Sequence, residues 1–128
     1  MTACKPLCAM SSSSVDGIAF TYASHVAGVQ VTPLHTDPHH NLLAQVIGRK
    51  YVRLYPPAST NALRPFTVGL VQNSSQVDMD SADAFQSIAH LPFKECVLGP
   101  GQMLYIPPKW MHYVKSLSVS FSVSFWWK

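Results

Sequence analysis

The sequence predicts an all-β domain of the barrel or jelly-roll type. Two observations lead to this prediction: many short segments rich in β-branched and aromatic residues are separated by Gly and Pro turns, and only one segment has helical features. The chain has 128 residues, which fits one domain with a single core. Charged residues make up 12%, about half of the roughly 25% typical of soluble domains, so much of the chain is expected to be buried.

The predicted strands follow a leader. Residues 1–16 are expected to be flexible because the run Ser11–Ser14 cannot bury apolar surface, and the folded domain is expected over residues 17–128. Within that domain, alternating and β-branched patterns predict the strands Ile18–Tyr22, Val26–Leu34, Leu42–Ile47, Tyr51–Tyr55, Phe93–Leu98, Met103–Ile106, His112–Leu117 and Val119–Trp127.

The segments between the strands have their own signals. Gly48-Arg49-Lys50 predicts that the two strands around it pair as a hairpin, which Pro56-Pro57 ends. Residues 58–80 are polar and are expected to be mostly loop. Residues 81–90 predict one short helix, with Ser81 as its amino-terminal cap.

His35 and Asp37 form the most informative pair in the chain. In an extended strand, residues two apart project to the same side, so both side chains can bind one ion while Thr36 faces away. Such a pair alone is a weak signal, because a histidine next to an aspartate is common on surfaces. The segment from Gly101 to His112 strengthens it, since a turn, a short apolar strand and a Pro-rich turn deliver a second histidine from another strand.

Two histidines and one carboxylate are the ligand set of the facial triad, which binds non-haem Fe(II) and leaves positions open for a cosubstrate and O2. The residues His35, Asp37 and His112 therefore predict an oxygenase. His39 and His40 are expected to be exposed rather than to support the metal ligands.

Lys50 is the second chemical signal. In an extended segment it shares a face with Val52 and Leu54, which places a cation on the apolar side. Burying an unpaired ammonium is costly, so this lysine either reaches solvent at the strand end or binds an anion such as a dicarboxylate. The sequence leaves both alternatives open.

The last strand has one face of small residues. Serines at positions 118, 120, 122 and 124 alternate with valine and phenylalanine. This small polar face is either exposed to solvent or lines a ligand cavity inside a barrel, with Trp126 on the same face as a wall.

Charge and cysteine content exclude several classes of protein. The net charge is only +3, and Lys and Arg are scattered, so direct binding of nucleic acid is not expected. Three cysteines, an odd number, do not form a disulfide framework and favour a reducing compartment. No stretch has the apolar length of a signal peptide or a membrane span, so we expect an intracellular protein of the nucleus or cytoplasm.

Residues from about Val31 to Trp127 resemble the JmjC domain of Fe(II)- and 2-oxoglutarate-dependent oxygenases, most closely the JmjC-domain-containing protein 5 type. The resemblance depends on five segments: Thr32–Pro38, Asn41, Gln45–Tyr55, Asn73–Asp78 and Ser120–Trp127. It implies a double-stranded β-helix, the cupin-like form of the jelly roll, with iron ligands His35, Asp37 and His112. It also implies that Lys50 binds the distal carboxylate of the cosubstrate 2-oxoglutarate. Thr32 and Asn41 would assist this binding, and Trp126 would line the cosubstrate pocket.

The implied activity is oxidation of a protein side chain by O2. Hydroxylation of a peptidyl residue, with arginine favoured, and demethylation of N-methyl-lysine are both consistent with the resemblance, and the partner is a protein or peptide. Relatives of this type have further strands before the metal pair, including a tyrosine that helps to bind 2-oxoglutarate, for which Tyr22 is the candidate here. The chain is thus expected to be the carboxyl-terminal part of a longer domain.

Two other classes of function stay open. A cupin enzyme that uses zinc or manganese is consistent with the same three ligands, although Lys50 disfavours it. A catalytically silent binding module is consistent with a barrel that lacks amino-terminal strands. The sequence does not predict the oligomeric state.

Overall fold

The computed structural model describes residues 5–6, 21–26 and 30–128, and these form two antiparallel sheets. The strands are β1 Lys5–Pro6, β2 Thr21–Val26, β3 Val31–His35, β4 His40–Ile47, β5 Lys50–Tyr55, β6 Lys94–Leu98, β7 Gln102–Ile106, β8 Met111–Ser116 and β9 Ser120–Trp127. One helix, α1, spans Ala82–Ser87, and two short 3₁₀ turns span Pro57–Ser59 and Asn61–Leu63. The predicted all-β jelly roll with one short helix is confirmed.

The strand order is β1-β7-β4-β9-β2 in one sheet and β3-β8-β5-β6 in the other. A cluster of buried aliphatic side chains lies between the sheets, because it takes residues from both: Leu43, Val52, Leu54, Leu98, Leu104, Ile106 and Val114. This cluster occupies only part of the space between the sheets. The remainder is a cavity lined by polar residues and by Leu43, Ile106 and Val114 of the cluster, and it forms the site described below.

The predicted hairpin around Gly48 is wrong. Both edges of β4 are bonded, to β7 and β9, while β5 pairs with β6 and β8 in the other sheet. Gly48 and Arg49 therefore carry the chain from one sheet to the other. Gly48 has a φ of +75°, and a Cβ atom built there would lie 2.0 Å from the carbonyl oxygen of Val119. Glycine is needed here for its backbone conformation and for this close approach to the β8–β9 turn.

The segment between β5 and β6 covers the outer face of the four-stranded sheet. Its side chains pack with those that alternate outward from the strands, in a second cluster of Leu34, Tyr55, Leu63, Val77, Ile88, Met111 and Tyr113. Helix α1 lies in this segment, and the Ser81 side chain accepts a hydrogen bond from the Ala84 amide, as predicted for its cap. With the outer face covered, the alternate residues of β3, β5 and β8 are directed between the sheets.

At the amino end, Lys5–Pro6 of the predicted leader pair with β7. The rest of that leader and much of the predicted strand Ile18–Tyr22 lie outside the described residues. Within the described part of the chain, no helix has the length and apolar character needed to cross a membrane.

Replacing Gly48 by alanine should destabilise the fold strongly. We expect Gly48→Ala to lower the free energy of unfolding by about 2–5 kcal/mol, since it adds both left-handed strain and a steric clash. Gly101→Ala is the matched control, because Gly101 has a φ of +78° but nothing within 4 Å of the position that an added Cβ atom would take. Its cost should be only the strain, about 1–2 kcal/mol. Equal denaturant midpoints for the two variants would contradict the role assigned to the sheet crossing.

Candidate metal centre

The pairing of β3 with β8 places two histidines opposite each other. His35, the last residue of β3, is in register with His112 of β8, and their ring centroids are 4.1 Å apart. Asp37 follows two residues later, and one ligand atom from each of the three residues lies within 4.8 Å of the others. The structure thus brings together the three residues that the sequence predicted. Within the described part of the chain, this is the one group of His, Cys, Asp and Glu residues with such geometry.

Each imidazole is oriented by a backbone carbonyl two residues earlier in its own strand segment. The Nδ1 atom of His35 is 2.8 Å from the Pro33 oxygen, and that of His112 is 3.0 Å from the Trp110 oxygen. A carbonyl oxygen can only accept, so each Nδ1–H donates, and in the neutral form of each imidazole the lone pair is on Nε2. The Nε2 atoms lie 3.5 Å and 3.6 Å from the oxygens of Asp37. This donor set fits a metal ion bound by two Nε2 atoms and a carboxylate.

Asp37 is held by two side-chain donors. Its Oδ2 atom accepts hydrogen bonds from the Asn41 amide at 2.8 Å and from the Trp126 indole at 3.0 Å. Burial opposes ionisation, but hydrogen bonds with His35, Trp126 and Asn41 hold the pKa of Asp37 well below its usual range. The carboxylate is therefore ionised, as a metal ligand must be.

The two histidines differ in their ionisation. Burial, with some repulsion from His35, lowers the pKa of His112 to about 4, so this imidazole is neutral near pH 7. For His35, burial also opposes protonation, yet the hydrogen bonds with Asp37 and with the Pro33 carbonyl outweigh it and raise the pKa.

A cavity of about 280 Å³ adjoins the three residues and extends between the sheets. All seven residues predicted for the site line it, namely Thr32, His35, Asp37, Asn41, Lys50, His112 and Trp126. Its wall also contains Gln30, Ser122 and Ser124, to which the sequence assigned no individual role. Ser122 is buried, so the small face of the last strand points into the cavity. Of the two alternatives that the sequence left open, this face therefore lines a cavity and is not exposed to solvent.

Lys50 does not reach solvent. Its side chain is buried in the cavity wall, and its ammonium donates a hydrogen bond to the Ser122 hydroxyl at 2.6 Å. No carboxylate in the described residues lies within ion-pair distance of it, and burial lowers its pKa. The cavity therefore contains a desolvated cation whose one hydrogen-bond partner among the described residues is neutral.

His39 and His40 lie apart from the metal group. His40 stacks on Trp127, with ring centroids 5.3 Å apart, and its Nδ1 is 2.6 Å from the Tyr105 hydroxyl. His39 is half-buried and contributes no ligand atom to the group. Both side chains are thus half-buried rather than exposed as expected, and neither contributes a ligand atom to the group.

A jelly roll of two antiparallel sheets with two histidines and an aspartate beside an internal cavity defines a cupin-like domain with a candidate metal centre. The chain belongs to the cupin-like domain family, which matches residues 25–128. The structure is also similar to the X-ray structure of E. coli ycfD, with a TM-score of 0.51 and 22% identity over 84% of this chain and 24% of that one.

Relatives with closer sequences are named as lysine-specific demethylases or as a Jumonji C domain-containing protein. The chain is 58% identical to lysine-specific demethylase JMJ30 of Arabidopsis thaliana over 76% of its length and 23% of that protein. It is 47% identical to lysine-specific demethylase 8 of Xenopus tropicalis over 94% of its length and 27% of that protein. It is 45% identical to Jumonji C domain-containing protein 5 of Drosophila melanogaster over 77% of its length and 25% of that protein. The predicted resemblance to JmjC domains is confirmed, and the chain spans about a quarter of these relatives.

Removing the carboxylate should greatly weaken metal binding without unfolding the domain. We expect Asp37→Ala to weaken the affinity for Fe(II) or Mn(II) by at least about 100-fold, more than loss of an outer-shell partner. His39→Ala is the control, because it removes a neighbouring imidazole outside the group. Calorimetric titration under anaerobic conditions measures both. Unchanged affinity in Asp37→Ala would contradict the site.

The hydrogen bond from the Trp126 indole to Asp37 should contribute to metal affinity independently of the aromatic ring. Trp126→Phe keeps an aromatic wall but removes the donor, so metal affinity should fall by about 10-fold. Trp127→Phe is the matched control, since Trp127 stacks on His40 instead. If both variants bind metal as the wild type does, the indole does not orient the carboxylate.

Proposed function

We propose that this chain contains the active site of an Fe(II)- and 2-oxoglutarate-dependent oxygenase that acts on a protein side chain. One cavity of about 280 Å³ contains a His-Asp-His group and a buried lysine that has no ionic partner in the described part of the chain, and this observation supports the proposal most directly. A molecule with a chelating group at one end and a carboxylate at the other would satisfy both.

In a JmjC-like site, a donor set of two histidines and one carboxylate favours Fe(II). His35, Asp37 and His112 would hold it through two imidazole nitrogens and one carboxylate oxygen, the set of the facial triad. When bound with 2-oxoglutarate, iron of this kind supplies the activation of O2 that oxidises a C–H bond. The chain's own contribution is orientation: the Pro33 and Trp110 carbonyls fix the imidazoles, and Asn41 and Trp126 fix the carboxylate.

Lys50 is proposed to bind the distal carboxylate of 2-oxoglutarate. Its ammonium is already desolvated and held by Ser122, so an incoming carboxylate gains a charge-assisted hydrogen bond without a further burial cost for the lysine. Thr32 and Asn41 line the same cavity and are proposed to contribute further polar contacts. Because 2-oxoglutarate carries only acceptor oxygens, the contact from Asn41 would be made by the second N–H of its amide, the first being donated to Asp37.

The proposed substrate is a peptidyl side chain. Two of the relatives are named lysine-specific demethylases, which supports removal of a methyl group from N-methyl-lysine. Hydroxylation of arginine is the other candidate, since both reactions begin with oxidation of a C–H bond next to nitrogen or along an alkyl chain. A nuclear or cytoplasmic location fits protein substrates of either kind.

The decisive experiment measures succinate. The chain is purified anaerobically, supplied with Fe(II), 2-oxoglutarate and O2, and assayed with and without short peptides that contain arginine or N-methyl-lysine. Succinate above the Asp37→Ala background supports the oxygenase. A peptide mass increased by one oxygen atom indicates hydroxylation, and loss of a methyl group indicates demethylation. A folded protein that binds iron but makes no succinate would support the silent binding module instead.

Replacing Lys50 should weaken cosubstrate binding without affecting metal binding. Lys50→Ala should leave metal affinity nearly unchanged but weaken 2-oxoglutarate binding by about 2–4 kcal/mol, the cost of removing one partner of a buried charge pair. Lys94→Ala is the control, because Lys94 is an exposed lysine on the neighbouring strand β6. Calorimetry on the Mn(II)-loaded proteins measures both affinities. Equal binding of 2-oxoglutarate by wild type and Lys50→Ala would exclude the proposed contact.

A further inference from the structure

Residues 66–71, which we call the apolar loop, expose side chains that a folded chain normally buries. Val68 is 76% exposed and Leu70 is fully exposed, and Phe66 and Val71 are exposed in part. None of these four side chains belongs to either hydrophobic cluster. In the sequence, residues 65–77 include no charged residue. Exposed apolar residues grouped in this way, unlike scattered single ones, mark interaction sites in folded proteins.

The stem of the apolar loop is fixed by hydrogen bonds. The Phe66 amide donates to the Ser74 oxygen at 3.0 Å, and Pro65 forms a β-bridge with Ser75. The buried Ser75 hydroxyl donates to the Leu63 carbonyl at 2.5 Å and accepts a hydrogen bond from the Val77 amide at 2.9 Å. The tip is therefore presented in a defined direction by an ordered base.

That base adjoins the candidate metal centre. In the segment that follows the apolar loop, Ser74 forms a β-bridge with His35. In the same segment, the Asn73 oxygen accepts a hydrogen bond from the Thr36 amide at 2.7 Å. Thr36 is the residue between two of the proposed ligands. The apolar loop thus projects from a segment bonded directly to the strand end that carries His35 and Asp37.

We propose that the apolar loop is the docking surface for the polypeptide substrate, and that it binds apolar side chains flanking the target residue. This inference rests on the proposed function. A polypeptide whose side chain is oxidised at the metal residues must pass beside them, and the apolar loop is anchored at that place. Since the loop has no charge, it selects apolar neighbours of the target residue rather than acidic or basic ones.

The test uses a double variant, Val68→Ser with Leu70→Ser. Both side chains are exposed and outside the clusters, so the variant should fold and melt as the wild type does. The matched control is Leu117→Ser with Val119→Ser, which removes two exposed apolar side chains at the opposite end of β8 from His112. The probe is a pool of short synthetic peptides with a central arginine or N-methyl-lysine and randomised flanking positions, supplied with Fe(II), 2-oxoglutarate and O2.

Mass spectrometry identifies which peptides are oxidised. The wild type and the control should enrich apolar residues beside the target, whereas the loop variant should lose this enrichment and show about a tenfold higher KM for the best peptide, with kcat within about twofold. The inference is overturned by the same enrichment in the loop variant, by no apolar preference in the wild type, or by succinate formation without oxidation of any peptide. It is also overturned if the loop variant changes only the oligomeric state, which would assign the surface to a second copy of the chain.

Failure of the proposed function would be recognised separately. In reactions without peptide, both the wild type and the loop variant should make the same small amount of succinate, because the metal residues and Lys50 are unchanged. Absence of succinate in both would reject the oxygenase itself, whereas equal succinate with equal peptide preference would reject only the docking surface.

Discussion

The register between β3 and β8 determines the geometry of the site. It sets His35 opposite His112, and the carbonyl two residues before each histidine then orients both rings in the same way. A shift of one residue in this pairing would turn one histidine toward the outer face, where the aromatic and aliphatic cluster lies. The buried contacts of Leu34 and Met111 on that outer face therefore stabilise the metal geometry, although neither residue touches the cavity.

A second register, between β4 and β9, secures the carboxylate. Asn41 and Trp126 are directly opposite each other across these strands, and both reach the same oxygen of Asp37. The resemblance to JmjC domains predicted that these residues serve the cosubstrate. Their hydrogen bonds to Asp37 were not predictable from the sequence, because they depend on a pairing between strands that are far apart in the chain.

What the sequence predicted well was local. A spacing of two in an extended segment predicted that His35 and Asp37 share a side, and the Pro-rich turn before His112 predicted the third ligand. What it did not predict depends on which strands are neighbours. Gly48 does end the strand before it, as its turn signal predicted, but a turn signal does not specify whether the next strand pairs with the last one or enters another sheet.

The same limit applies to the last strand and to Lys50. Alternation identifies which serines share a face but not whether that face is inside, and only the packing of the two sheets answers this. Lys50 comes from one sheet and its partner Ser122 from the other, so the contact between them spans the interior. The cation could be recognised as unusual in sequence, whereas its neutral partner 72 positions away could not.

The bonds at the base of the apolar loop have a further consequence for β3. This strand is at the edge of its sheet, and edge strands offer unpaired amides and carbonyls to other chains. Residues 73–75 occupy that edge through two backbone hydrogen bonds. The Ser75 amide donates to the Leu34 oxygen, and the Thr36 amide donates to the Asn73 oxygen. The end of β3 that carries the first metal ligand is thereby closed to strand addition by a neighbouring molecule. A deletion that shortened the loop tip would keep this protection, whereas one that removed its base would leave the metal strand open to self-association.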